Sequence, residues 1–175
     1  DITIKGKGAH GARPESGIDP IVVAAHIVTA AQTIRSRTLS PHDPAVLSIT
    51  QVHAGDAYNV IPETAVLRGT IRAFRPDVMQ TLMQGLARIA TQVAAAYGAT
   101  AHCDIRQGYP PLVNHPDETA FIADVAASLV GEENVNRNGA LVMGSEDFSY
   151  MLNAVPGAFI LTGQGGAGDQ GGSCE

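Results

Sequence analysis

The chain has 175 residues, and its hydrophobic content of 45% is ordinary for a globular protein that buries a core. A net charge of −6 and an aromatic content of 5% argue against a nucleic-acid-binding surface, which is usually basic and carries stacking rings. No run of apolar residues is long enough to span a bilayer, so we expect no membrane-spanning segment.

The first 107 residues predict four strands and two helices in the order β-α-β-β-α-β. Alternation of apolar and polar residues indicates the strands, and apolar residues at helical spacing indicate the helices. Asp19 is a good N-cap before Pro20, and Gly98 is a good helix stop. The strands are predicted at about 2–7, 45–53, 64–74 and 101–106, and the helices at 20–34 and 76–97.

This order of elements is typical of a ferredoxin-like sandwich, which is an α+β fold. Because the apolar faces of strands and helices must meet, we expect both helices on one face of an antiparallel sheet. The other face of the sheet, which carries Arg68 and Arg72, is left open.

The pattern changes from residue 108 onward, where we place a domain boundary. A proline-rich crossing leads to a helix at about 116–130, which ends at Gly131. A short strand is predicted at 139–143, a helix beginning in "GSEDFSYMLN" with Ser145 as N-cap, and a buried strand at 158–163. We interpret residues 108–175 as an incomplete α/β segment whose partner strands are missing.

The two ends of the sequence and its two cysteines indicate what kind of chain this is. Residue 1 is Asp rather than Met, "DITIKGKG" already has the pattern of a strand, and the sequence stops in a glycine-rich loop, so we expect a piece of a longer chain. Cys103 and Cys174 are too few for a disulfide framework or a metal knuckle. They fit two thiols in a reducing compartment, and we expect a cytoplasmic protein.

Two candidate functional residues lie in turns of the first 107 residues. His10 stands between Gly8 and Gly11, where it could donate a hydrogen bond to a developing oxyanion, or be a surface histidine beside a turn. Asn59, in "YNVIPE", could present its amide NH2 to a substrate carbonyl, or satisfy the backbone of its own turn. Local sequence favours the structural alternative at both positions.

Further candidates are suited to carboxylate binding. The guanidinium of Arg72 matches a carboxylate held by two hydrogen bonds, but a solvated arginine on an open sheet is an equal alternative. Gly144 and Ser145, at a predicted helix N-terminus, could also hold a substrate carboxylate, although capping explains them without a ligand. The sequence shows no H-E-x-x-H, P-loop, nucleophile elbow or metal-ligand cluster, so its own residues do not make a complete active site.

Four motifs in order resemble one enzyme family. "GKGAHGARPESGIDP", "NVIPE…RGTIRAF", "GYPPLVN" and "MGSEDFSYML…PGAFILTG" are similar to the metal-dependent amidohydrolases that include aminoacylase, hippurate hydrolase and plant auxin-conjugate hydrolases. Each motif is weak alone, but the four together cover nearly the whole chain. The "SEDF" and "YPPL" forms point to the hippurate hydrolase branch.

The resemblance implies an architecture and a chemistry. Residues 1–107 would be a lid or dimerisation domain, and residues 108–175 the C-terminal part of the catalytic domain. In such enzymes two metal ions, commonly zinc, manganese, cobalt or nickel, activate a water that attacks the amide carbonyl of an N-acyl amino acid or small peptide.

The resemblance also implies roles for five residues. His10 would come from the partner subunit of a homodimer and steady the oxyanion, and Asn59 would assist it. Arg72 would bind the substrate carboxylate, and Gly144 and Ser145 would line the same pocket.

The sequence departs from the family pattern because it lacks the residues that bind the metal ions. They belong before residue 1 and after the glycine-rich loop, and none of the six histidines matches a metal position. We therefore expect the 175-residue piece to bind no metal and to be inactive alone. The rival interpretation is a non-catalytic oligomerisation or ligand-sensing module on the same scaffold.

Overall fold

The computed structural model describes residues 1–163 and divides the chain into two compact units, Asp1–Gln107 and Gly108–Glu175. The predicted glycine-rich loop after Gly163 and Cys174 lie outside the described residues. Within the described range, no helix has the length and apolar character that crossing a membrane requires.

A four-stranded antiparallel sheet forms the centre of the first unit. The elements of this unit are β1 (Ile2–Lys5), β2 (Ala9–His10), α1 (Pro20–Thr33), β3 (Ala45–Ala54), β4 (Val60–Ile61), β5 (Thr64–Ala73), α2 (Pro76–Ala96) and β6 (Thr100–Cys103). The strands of the sheet stand in the order β3-β5-β1-β6, and the short strands β2 and β4 pair separately. With its two helices, the sheet confirms the predicted β-α-β-β-α-β order; the pair of two-residue strands was not predicted.

Local chemistry sets the ends of α1 and α2 as the sequence predicts. The Asp19 carboxylate accepts the Ile21 N–H at 2.8 Å, and Pro20 occupies the first helical position. Gly98, with a φ of 75°, ends helix α2 because it adopts a left-handed backbone conformation just after it. Ile34, the last residue of the first predicted helix, instead begins a separate π-helical turn, Ile34–Thr38.

One apolar core lies between the helices and a single face of the sheet. Strand residues such as Ile4 and Leu67 are fully buried there against Ile27 of α1 and Leu82 of α2. The opposite face carries Arg68, which is exposed, and Arg72, which is half-buried. Both helices therefore cover one face, as predicted from the apolar patterns.

In the second unit, helix α3 (Pro116–Val130) and its stop at Gly131, φ 89°, match the prediction. The strands predicted at 139–143 and 158–163 are wrong, because neither range forms a strand. A strand needs a neighbouring backbone for its N–H and C=O groups. Within this unit the Asn114 carboxamide takes that place, bonding the N–H and the C=O of Phe159 at 2.8 and 2.9 Å.

Candidate functional site

The loop that carries His10 is closed at its base by two backbone segments. Lys7 and Ile18 exchange N–H···O=C bonds, both of 2.9 Å. A Cβ on Gly6 would lie 2.2 Å from the Ile18 carbonyl oxygen, and one on Gly17 would lie 2.8 Å from the Lys7 oxygen. The loop has few side chains because its base needs glycine where the backbones approach closely.

The same loop is joined to the turn that carries Asn59. His10 in β2 lies opposite Val60 in β4, and the Gly11 N–H donates to the Asn59 carbonyl at 2.7 Å. A Cβ on Gly11 would lie 3.1 Å from that carbonyl oxygen. The structure therefore brings His10 and Asn59 together, through main-chain bonds between two loops distant in sequence.

The imidazole of His10 has a defined orientation. Its Nδ1 accepts the Ala12 N–H at 3.1 Å, which requires a lone pair on Nδ1. The proton of the neutral ring is then on Nε2. Because the side chain is exposed beside an open depression lined by His10, Ala12 and Arg13, the Nε2–H can donate to a group outside this loop.

The carboxamide of Asn59 is also exposed. Its turn is closed by the Val60 N–H, which donates to the Ala57 carbonyl at 3.3 Å. Within residues 1–163 the Asn59 side chain makes no hydrogen bond, so the structural alternative, an amide that satisfies its own turn, does not hold. The amide NH2 group and the Nε2–H of His10 are two exposed polar donors on backbone segments that are hydrogen-bonded to each other.

Arg72 lies far along the sheet from the loops that carry His10 and Asn59. It lies near the end of β5, opposite Val46, whereas Thr64 at the start of β5 follows the turn that carries Asn59. The eight intervening steps of strand span roughly 25 Å. Within one protomer the structure does not bring Arg72 to His10 and Asn59.

Gly144 and Ser145 lie in the second unit and are exposed. The prediction that Ser145 caps a helix is wrong, because helix α4 (Phe148–Ala154) begins three residues later, after Asp147. Glu146 accepts hydrogen bonds from the first two residues of α4. The Glu146 carboxylate accepts the Phe148 N–H at 3.3 Å, and the Glu146 carbonyl accepts the Ser149 hydroxyl at 2.7 Å. Gly144 and Ser145 are therefore loop residues.

A family comparison now assigns the first unit. The M20 peptidase dimerisation domain matches residues 1–101 of this chain. The chain belongs to the M20 peptidase family. This confirms the family that the four sequence motifs resemble.

Known M20 relatives match along nearly the whole chain. An N-acetyl-L-cysteine deacetylase of Bacillus subtilis is 35% identical over 168 residues, which are 96% of this chain and 40% of the relative. An IAA-amino acid hydrolase of Arabidopsis thaliana is 38% identical over 167 residues, 93% of this chain and 37% of the relative. The chain thus spans about two fifths of the length of these relatives.

A solved M20 structure has the same fold. The crystal structure of a dinuclear metal binding peptidase of Bacillus subtilis is 30% identical to this chain, with a TM-score of 0.61. The match covers 89% of this chain and 38% of that peptidase.

The described part of this M20 chain offers no metal site of its own. No three His, Cys, Asp or Glu side chains among residues 1–163 are grouped so that they could hold an ion. Cys103 does not offer a nucleophilic thiolate in place of a metal-activated water, because burial raises the pKa of its thiol and keeps it protonated. Among residues 1–163 the candidate site therefore offers hydrogen-bond donors rather than a group of metal ligands.

One exposed residue beside Asn59 was not predicted from the sequence. Tyr58, directly before Asn59, is fully exposed at 113% of its reference area. The sequence signal was an aromatic residue inside a turn that otherwise contains small and polar residues, "GDAYN".

Proposed function

We propose that this chain is the lid domain, 1–107, and the C-terminal part of the catalytic domain, 108–175, of an amidohydrolase acting on N-acyl amino acids such as hippurate. The names of the two relatives, a deacetylase of N-acetyl-L-cysteine and a hydrolase of IAA-amino acids, support this class of substrate. The observation that carries the proposal is that His10 and Asn59, two exposed residues with polar donors, lie on segments joined by main-chain pairing.

In this proposal the two donors meet the carbonyl of the scissile amide. As that carbonyl becomes a tetrahedral oxyanion, the Nε2–H of His10 and the NH2 of Asn59 stabilise its charge. Divalent metal ions, zinc, manganese, cobalt or nickel, would be held by residues outside this chain and would supply the activated water. The dinuclear metal binding of the Bacillus subtilis M20 peptidase supports that assignment.

Arg72 would bind the substrate carboxylate from the other protomer of a homodimer. A carboxylate and the scissile carbonyl of one N-acyl amino acid lie only a few ångströms apart. His10 and Arg72 of one protomer are separated by roughly 25 Å of strand, so both can reach one substrate only if two protomers contribute. In the second unit, Gly144 and Ser145 are proposed as substrate-binding loop residues.

Hydrolysis of N-benzoylglycine tests the proposed function. The complete chain, loaded with zinc, manganese, cobalt or nickel, should release glycine and benzoate, and a chelator should abolish this turnover. The 175-residue piece should show no turnover under the same conditions. Turnover by the piece alone would contradict the assignment of the metal ligands, and ligand binding without turnover by the complete chain would favour the sensing module.

We propose that the homodimer forms along strand β3. At the two edges of the sheet, β3 offers ten residues and β6 only four. An unpaired edge strand presents a row of N–H and C=O groups that a second copy can pair with, and the longer edge offers more of them. The dimerisation-domain match over residues 1–101 supports a contact within this unit.

A lysine in the middle of β3 should therefore weaken the dimer. Thr50 is exposed at the centre of the strand, so Thr50→Lys brings two like charges together when two copies pair about a two-fold axis. We expect light scattering of the complete enzyme to show a shift toward monomer. The matched control is Thr100→Lys on β6, also exposed, which should leave the dimer intact; the reverse result would assign the interface to β6.

A further inference from the structure

The side chain of Tyr58 is the most exposed large hydrophobic group in the described chain, at 113% of its reference area. Its ring contacts no other aromatic ring among residues 1–163. A phenol ring has a large apolar surface and a polar tip, and exposing it to water gains nothing for the fold. Such a ring on a loop is typical of a residue that contacts a ligand or a partner.

The backbone beneath Tyr58 is fixed. The Gly11 N–H bonds the carbonyl of Asn59 at 2.7 Å, and the Val60 N–H bonds the carbonyl of Ala57 at 3.3 Å. Tyr58 thus lies between two hydrogen-bonded residues, on the turn that also presents the Asn59 carboxamide. A turn whose backbone is already fixed loses little backbone entropy on binding.

The position of the ring relative to the proposed substrate follows from the same geometry. In an N-acyl amino acid, the carbonyl carbon bears the amide nitrogen on one side and the acyl group on the other. The nitrogen side leads to the carboxylate, which is assigned to Arg72 of the other protomer, because Arg72 of the protomer that carries Tyr58 lies roughly 25 Å of strand away from this turn. The acyl side is therefore the part of the substrate open to Tyr58.

We propose that Tyr58 contacts the acyl group of the substrate and makes the enzyme prefer aromatic acyl groups over acetyl. This inference rests on the proposed function. An aromatic acyl group packs against a phenol ring by stacking or by its edge, an interaction that an acetyl group cannot make.

The ratio of two specificity constants tests the inference. For the complete metal-loaded enzyme, kcat/KM is measured with N-benzoylglycine and with N-acetylglycine. Tyr58→Ala should lower the benzoyl-to-acetyl ratio about tenfold, because aromatic contact plus buried area amounts to about 1.4 kcal/mol. Tyr58→Phe, which keeps the ring, should restore the ratio. The control is Tyr97→Ala, an exposed tyrosine at the end of α2, which should not change the ratio.

Each outcome has a distinct meaning. A ratio unchanged in Tyr58→Ala, whether or not both constants fall, would overturn the inference and assign Tyr58 to packing against protein. If the wild-type enzyme hydrolyses neither substrate, the proposed function fails and the inference falls with it. Hydrolysis by the wild type together with an unchanged ratio overturns the inference alone.

Discussion

Two inactive variants, His10→Ala and Arg72→Ala, are expected to regain activity when they share one dimer of the complete enzyme. His10 and Arg72 of one protomer are too far apart for one small substrate, so each active site should take His10 from one protomer and Arg72 from the other. A dimer of the two variants then has one site with both residues and one site with neither. Each parent should lose about 100-fold or more in kcat/KM, whereas the mixed dimer should recover about half of the wild-type activity.

The measurement is steady-state hydrolysis by mixed dimers, isolated with two different affinity tags after co-expression. The matched control pairs a wild-type protomer with a protomer that carries both substitutions. Each of its sites then lacks one residue, so this dimer should be nearly inactive. A half-active control and an inactive mixed dimer would instead show that His10 and Arg72 serve the same site from one protomer.

The fold of the first unit could be predicted from the sequence because its patterns are long. Strand β5 has ten residues and helix α2 twenty-one, so the apolar period repeats several times in each. The β2–β4 pair could not be predicted, because two-residue strands have no measurable period. That pair nevertheless joins His10 to Asn59, so the decisive contact of the site depends on its least predictable element.

The errors in the second unit have a different cause. The 158–163 range is apolar enough for a strand, but Leu161 is 80% exposed and no strand between residues 108 and 163 pairs with it. A strand depends on a neighbour, and a local sequence pattern cannot show whether the neighbour is present. Helix α3 needs no such neighbour for its backbone and was predicted correctly from Pro116 to Val130. The predicted capping role of Ser145 is wrong for a local reason too, because Glu146 accepts the hydrogen bonds of the first two residues of α4.

The site residues were only partly accessible to sequence reasoning. His10 and Asn59 were predicted as candidates, but the pairing of their two segments depends on main-chain bonds across about fifty residues of sequence. Tyr58 was missed because exposure of one aromatic side chain in a turn cannot be read from composition. The separation of Arg72 from His10 follows from strand length alone, once the register of β5 is known.

Gly6→Ala is expected to reduce both activity and stability, although Gly6 contacts no proposed substrate group. The added methyl would lie 2.2 Å from the Ile18 carbonyl oxygen and 3.2 Å from the Pro20 ring. Neither neighbour can move without a backbone shift, because Ile18 bonds Lys7 at the loop base and Pro20 starts α1. We expect a stability loss on the order of 1–3 kcal/mol, measured by urea unfolding, together with a displaced His10 loop.

The displacement should appear in kcat, since the proposed role of His10 is to stabilise the oxyanion rather than to bind the substrate. A decisive measurement is the effect of Gly6→Ala in the His10→Ala background. If Gly6 acts by positioning the imidazole, the second substitution should cost little further activity, because the two effects are coupled. Gly108→Ala, where an added methyl meets nothing within 4 Å, is the matched control and should change neither property. A fully active Gly6→Ala enzyme would mean that the loop base does not position His10, and additive losses would mean that Gly6 acts on the fold independently of the imidazole.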